Sequence, residues 1–207
     1  MKTVLVHGVA GSSRWWRDLE RQLGGLELEP LDLPRRATLP ELEEWVAARL
    51  EPRAALVGHS LGGLVAARVA ARRPELVERL ALIAPAGLGD ASMLGYALPL
   101  ARTLAAVRPR LAALLLHDAL RASPLGFWSA VRIAVGTDLR DELGRIEAPT
   151  LVIWGERDRL LPVAHGYACT ALVPGGRLEI VAGAGHAPMV ERPEEVSRLL
   201  REFLAGA

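Results

Sequence analysis

Residues 58–63 read Gly-His-Ser-Leu-Gly-Gly, between the apolar run Ala54-Ala55-Leu56-Val57 and the helical pattern from Leu64 to Ala70. A serine framed by glycines at a strand-to-helix junction makes severe demands on the backbone. The turn must be sharp enough to push the Ser60 hydroxyl out of the surface, in a strained conformation. Flanking chain then comes so close that Gly58 and Gly62 have no room for a Cβ. Glycine and serine are common residues, so the weight of the motif rests on its position and on its partners further along the chain.

A serine hydroxyl is a poor nucleophile at neutral pH and needs a base to take its proton and an acid to orient that base. The chain supplies both, in the order Ser, Asp, His. The strand-like run Thr150 to Trp154 ends in Gly155-Glu156-Arg157-Asp158, and Arg177 to Val181 leads into Ala182-Gly183-Ala184-Gly185-His186. The glycines on either side of Ala184 free that loop to carry the His186 imidazole towards Ser60. Open α/β sheets bind ligands at the carboxyl ends of their strands, and all three residues follow strands directly. Each alone has a bland reading, Asp158 as a turn residue, His186 as a loop histidine and Ser60 as a helix cap. The joint order and flanks argue against three accidents.

Acyl transfer also needs two donors for the developing oxyanion. The backbone N–H of Leu61 is one, at the positive end of the helix that begins there. The other is expected in the loop after the first strand, His7-Gly8-Val9-Ala10-Gly11-Ser12-Ser13, from Val9 with Ala10 as the fallback. His7 is read as bracing that loop rather than as a second base.

With these pieces the chain resembles the α/β-hydrolase fold superfamily, in its branch of small-lid serine esterases. The resemblance rests on His7-Gly8…Gly11-Ser12-Ser13 with Trp16, on Gly58 to Gly63, on Trp154 to Asp158 with Pro162, and on Gly185-His186…Glu191…Pro193. It implies Ser60 as nucleophile, His186 as base, Asp158 as acid, and Val9 with Leu61 as oxyanion donors. Two departures stand out. The family's turn usually reads Asp-x-x-Gly-x-Gly-x-Ser, whereas here it is Asp32-Leu33-Pro34-Arg35-Arg36-Ala37-Thr38, without either glycine. The first strand leads directly into the oxyanion loop, so a sheet without the two strands that usually precede it in the family is expected.

The expected fold is therefore α/β: a mostly parallel six-stranded sheet with helices on both faces and a short helical lid. Strands are predicted near 3–6, 27–32, 54–58, 79–84, 150–154 and 177–181. Helices are predicted near 14–24, 39–50, 61–73, 162–173 and 193–205, in one domain spanning 1–207. Between Gly87 and Pro149 the alternation stops, and a lid insertion is expected at about 88–148, with helices at 93–107, 110–121 and 127–135. Its Leu and Ala content, with Tyr96, Phe127 and Trp128, implies an apolar acyl or alcohol group in the substrate. These three aromatics and Trp16 are the candidate substrate contacts. From Pro99 to Val135 five arginines (102, 108, 110, 121 and 132) face one acid, Asp118. They are either a solvated helix face or a field that attracts an anionic substrate.

A formal net charge of +1, from 25 basic and 24 acidic residues, gives no argument for nucleic acid. One cysteine, Cys169, excludes an internal disulfide and suits a reducing compartment. No apolar stretch reaches the roughly 20 residues that span a bilayer, and no secretory leader is visible. A soluble cytoplasmic hydrolase is expected, cleaving a small or carrier-bound carboxylic ester or thioester without metal or organic cofactor. The alternatives keep the triad for carbon–carbon bond hydrolysis, lyase or perhydrolase chemistry, or make the chain a non-catalytic ligand-binding relative. The sequence does not address oligomeric state.

Overall fold

A computed structural model describes residues 1–50, 52–89, 109–121 and 123–206. Six strands, β1 (Lys2–Val6), β2 (Glu27–Leu31), β3 (Ala54–His59), β4 (Val77–Ile83), β5 (Thr150–Gly155) and β6 (Arg177–Val181), form one sheet. Its order is β2-β1-β3-β4-β5-β6, and every neighbouring pair is parallel. Parallel pairing needs long crossovers, and α1 (Arg17–Gln22), α2 (Leu39–Ala47), α3 (Leu61–Arg72) and α7 (Ala164–Leu172) supply them, while α9 (Pro193–Leu204) follows the last strand. A one-turn 3₁₀ helix, Ser13–Trp16, precedes α1.

The period of two along each strand divides the core. Val4, Val6 and Leu56 face one apolar layer with α2 and α3, while Leu5, Val57 and Ile153 face another with α1 and α9. All six residues of β3 are buried, as a central strand covered on both faces requires. The amphipathic α9 opens on Pro193, tolerated in a first turn, and buries Val196, Leu199, Leu200 and Phe203.

The insertion after β4 provides α4 (Pro109–Arg121), α5 (Pro124–Gly136) and the short α6 (Arg140–Leu143). Ser123 caps α5, accepting from the Gly126 N–H. The helix expected at 93–107, with Tyr96, lies outside the described residues. Two short helices escaped the sequence reading, α6 and α8 (Pro188–Glu191), because four residues carry too little periodicity to register.

The chain leaves β1 towards β2 on one side and enters β3 on the other, so the direction of winding reverses between β1 and β3. The crevice at the carboxyl ends of those strands is where such sheets bind ligands. Val6 of β1 pairs with Gly58 of β3 at that end, which sets the loop after β1 beside the turn after β3. Glycines make the approach possible. A Cβ on Gly62 would overlap the carbonyl oxygen of Val6, and one on Gly58 the carbonyl oxygen of Gly62.

Gly62→Ala is expected to cost at least about 1–3 kcal/mol in urea unfolding, because backbone must move to admit the methyl group. Gly24→Ala, whose nearest obstacle is 3.8 Å away, should stay within about 0.5 kcal/mol of the unaltered protein.

Candidate active site

Ser60 joins β3 to α3 with φ 53° and ψ −116°, a region that side chains avoid at a cost of about 1–3 kcal/mol. The conformation is pinned from both sides. The Ser60 N–H donates to the Ile83 carbonyl at 3.0 Å, and its own carbonyl accepts from Leu64 and Ala86, each at 3.0 Å. Leu61 begins α3, and Gly8 lies so near that a Cβ on it would come within 2.9 Å of the Ser60 Cβ.

Asp158 follows β5 in a turn closed by its N–H on the Gly155 carbonyl. Its side chain is fully buried, and Oδ1 accepts the N–H groups of Leu160 and Leu161, each at 2.9 Å. Oδ2 faces His186 Nδ1 at 2.8 Å, and His186 Nε2 lies 3.1 Å from Ser60 Oγ. Since the carboxylate only accepts, Nδ1 carries the proton and Nε2 keeps its lone pair for the serine hydroxyl. The three side chains named from sequence thus meet in one hydrogen-bonded line.

The loop that carries His186 is tied at several points. Glu191 accepts the N–H groups of Gly185 and Ala187, and Gly183 turns the chain at φ 66°. His59 donates Nε2–H to the His186 carbonyl at 2.9 Å. Its ring stacks on Trp15 at 5.8 Å and lies 5.0 Å from the His186 ring. Burial, reinforced by the neighbouring His186, holds the His59 pKa well below the ordinary histidine range. His7 is neutral for the same reason, burial outweighing its hydrogen bond to Gly8. Its Nε2 accepts the Leu33 N–H at 3.1 Å, so Nδ1 donates to the Gly8 carbonyl at 2.8 Å. The ring therefore bridges the β1 loop and the β2 loop.

A cavity of about 340 Å³ opens beside this line. Val9, Leu61, Leu33, Ile133 and Phe127 supply apolar surface, Arg14, Arg35, Asp32 and Asp118 supply charge, and His117 also lines it. Asp118, on α4, is buried and takes three donors: Trp15 Nε1 at 2.8 Å, Ser12 Oγ at 3.2 Å and His117 Nδ1 at 3.0 Å. One carboxylate thus fastens the lid to the β1 loop. On the other side α5 rests on the β2 loop, where a Cβ on Gly126 would overlap the Arg35 carbonyl oxygen. Neither Val9 nor Leu61 has a hydrogen-bond partner for its backbone N–H among the described residues.

Several expectations need correction. Trp16 is fully buried in the α1–α9 layer and offers a ligand no surface. Trp128 is 55% exposed and rests edge-on against Phe127 outside the cavity, and only Phe127 of the two lines it. Tyr96, Arg102 and Arg108 lie outside the described residues. Arg132 is exposed and does not line the cavity, whose guanidinium groups come instead from the 3₁₀ turn after β1 and the loop after β2. The sequence reading passed over Asp118, His117, His59, Arg14 and Arg35. Two had a signal: Asp118 is the single acid among the lid arginines, and Arg35 stands where the family turn has glycine. No helix among the described residues is long and apolar enough to cross a membrane, and none of their His, Cys, Asp and Glu side chains cluster as a metal site.

The alpha/beta hydrolase family model matches residues 3–199. The chain belongs to the alpha/beta hydrolase family. A hydrolase from Pseudomonas aeruginosa superposes with a TM-score of 0.86 at 26% identity, covering 100% of this chain and 90% of that one. The pimeloyl-[acyl-carrier protein] methyl ester esterase of Xanthomonas axonopodis is 30% identical over 98% of this chain and 94% of its own. The dihydrolipoyllysine-residue acetyltransferase component of the acetoin cleaving system of Cupriavidus necator is 29% identical over 99% of this chain. This hydrolase-family chain spans only 64% of that relative's length.

Neutral, buried His7 and His59 tie stability to pH. Both must shed a proton on folding, so below the unfolded pKa of about 6.5 the unfolded chain binds more protons and stability falls. Urea unfolding should show a less stable protein at pH 5.5 than at pH 7.5. His59→Gln should narrow that difference.

Proposed function

We propose that this chain is a serine hydrolase of carboxylic esters or thioesters, acting as one domain with its lid at about 88–148. The observation that carries the reading is the continuous line from Ser60 Oγ through the His186 ring to an Asp158 carboxylate sealed from water. Ser60 attacks the acyl carbonyl as His186 Nε2 takes its proton. Asp158 holds the tautomer and stabilises the imidazolium that forms. The free N–H groups of Val9 and Leu61 hold the oxyanion, with the α3 N-terminus behind Leu61. His186 then protonates the departing group, and water releases the acyl-enzyme by the reverse route. His59 suits this role by staying uncharged, since a second cation 5.0 Å away would oppose the imidazolium.

The names of the esterase relatives support an acyl ester, on a small molecule or a carrier, as the substrate class. This chemistry draws on no metal or organic cofactor. A single buried cysteine, its thiol pushed up to about 12 by burial, fits a reducing compartment, and the cytoplasm is the place of action we favour.

Ser60→Ala should abolish p-nitrophenyl ester cleavage while the circular dichroism spectrum is unchanged, and a fluorophosphonate should label the unaltered protein at Ser60. Asp158→Asn should lower kcat by about 10³–10⁴-fold, because the amide favours the wrong histidine tautomer. Substantial turnover by Ser60→Ala would place the chemistry elsewhere.

A further inference from the structure

The charged wall of the cavity is not what a pocket for a purely apolar acyl chain requires. Among the described residues, four ionisable side chains besides the histidines line it: Arg14, Arg35, Asp32 and Asp118. The two carboxylates are already committed. Asp118 is saturated by Trp15, Ser12 and His117, and Asp32 accepts the N–H of Ser13 at 2.7 Å and its hydroxyl at 3.2 Å. The two guanidinium groups, by contrast, have no ion pair or hydrogen bond among the described residues. Arg14 comes from the 3₁₀ turn after β1 and Arg35 from the loop after β2. Arg35 occupies the place of a glycine in the usual family turn, so its charge is a feature of this chain.

The cavity also has a direction. Val9 and Leu61 line it, whereas Ser60 and His186 do not. With the reacting carbonyl held at the Val9–Leu61 N–H groups, the cavity is open to the acyl side of the substrate. Leu33, Phe127 and Ile133 line the same cavity as the two arginines.

We propose that Arg14 and Arg35 form an anion-binding subsite, and that the acyl group bears a carboxylate at its far end, as in the half-ester of a dicarboxylic acid. This rests on the hydrolase reading above and narrows its substrate class. A planar guanidinium fork matches a carboxylate in two parallel hydrogen bonds, which adds orientation to charge. The half-ester whose length spans from the Val9 and Leu61 N–H groups to the guanidinium groups should fit best.

The test uses p-nitrophenyl half-esters of straight-chain dicarboxylic acids, from succinate to suberate, beside neutral esters of the same chain length. At the best length kcat/KM should favour the half-ester by about tenfold or more, the scale of a charged hydrogen bond. Arg14→Gln or Arg35→Gln should cut that preference by about tenfold, Arg35→Lys should keep part of it, and added salt should erode it in the unaltered protein. Absence of a preference at every chain length, or a preference indifferent to both arginines, overturns the subsite. Calorimetry of monomethyl adipate against methyl hexanoate on Ser60→Ala protein reads the subsite without turnover. Tighter binding of the anionic ester there supports the subsite even if no ester is cleaved, and equal binding overturns it. Failure of the hydrolase reading shows instead as absent ester cleavage and an unlabelled Ser60.

Discussion

The hydrogen bonds that grip the Ser60 backbone are the constraint on which the rest of the molecule turns. A positive φ at a non-glycine residue persists only where its surroundings leave no alternative. Ile83 on β4 holds the amide, and Leu64 with Ala86 hold the carbonyl, so strand, helix and loop all contribute. Glycines at 58 and 62 let those elements come together, and any side chain there would force them apart. The sheet order follows from the same place: β1 and β3 must be neighbours for the loop after β1 to lie against this turn.

The cavity adds charge to the apolar chemistry expected from the lid. A lid rich in Leu and Ala implied an apolar group in the substrate, and the cavity is lined in addition by Arg14, Arg35, Asp32 and Asp118. The apolar lid residues that line it, Phe127, Ala130 and Ile133, cover only part of its wall. The other lid hydrophobes have different tasks: Leu111 packs with Trp15 in the α1–α9 layer, and Leu125 and Trp128 face solvent.

Strand and helix types were legible because β3 opens as a short apolar run, Ala54 to Val57, and α9 is amphipathic. Ser60, Asp158 and His186 were legible because each follows a strand within a short glycine-bearing turn. The features that stayed hidden depend on approaches between distant segments. Nothing local marks Asp118 as the partner of Trp15, separated by 103 positions, or His59 as the donor to the His186 carbonyl. Trp16 misled for a different reason: both indoles are buried in the α1–α9 layer, but it is its neighbour Trp15 that stacks on His59 and donates to Asp118.

Asp118 is also a mechanical coupling. A carboxylate buried on a lid helix and saturated by donors of the β1 loop leaves its seat only by exposing unpaired charge, which costs more than sliding apolar surfaces apart. Any swing of α4 therefore drags on Ser12 and Trp15, a few residues from Val9. The position of α4 and that of the loop after β1 are set together, by a single side chain.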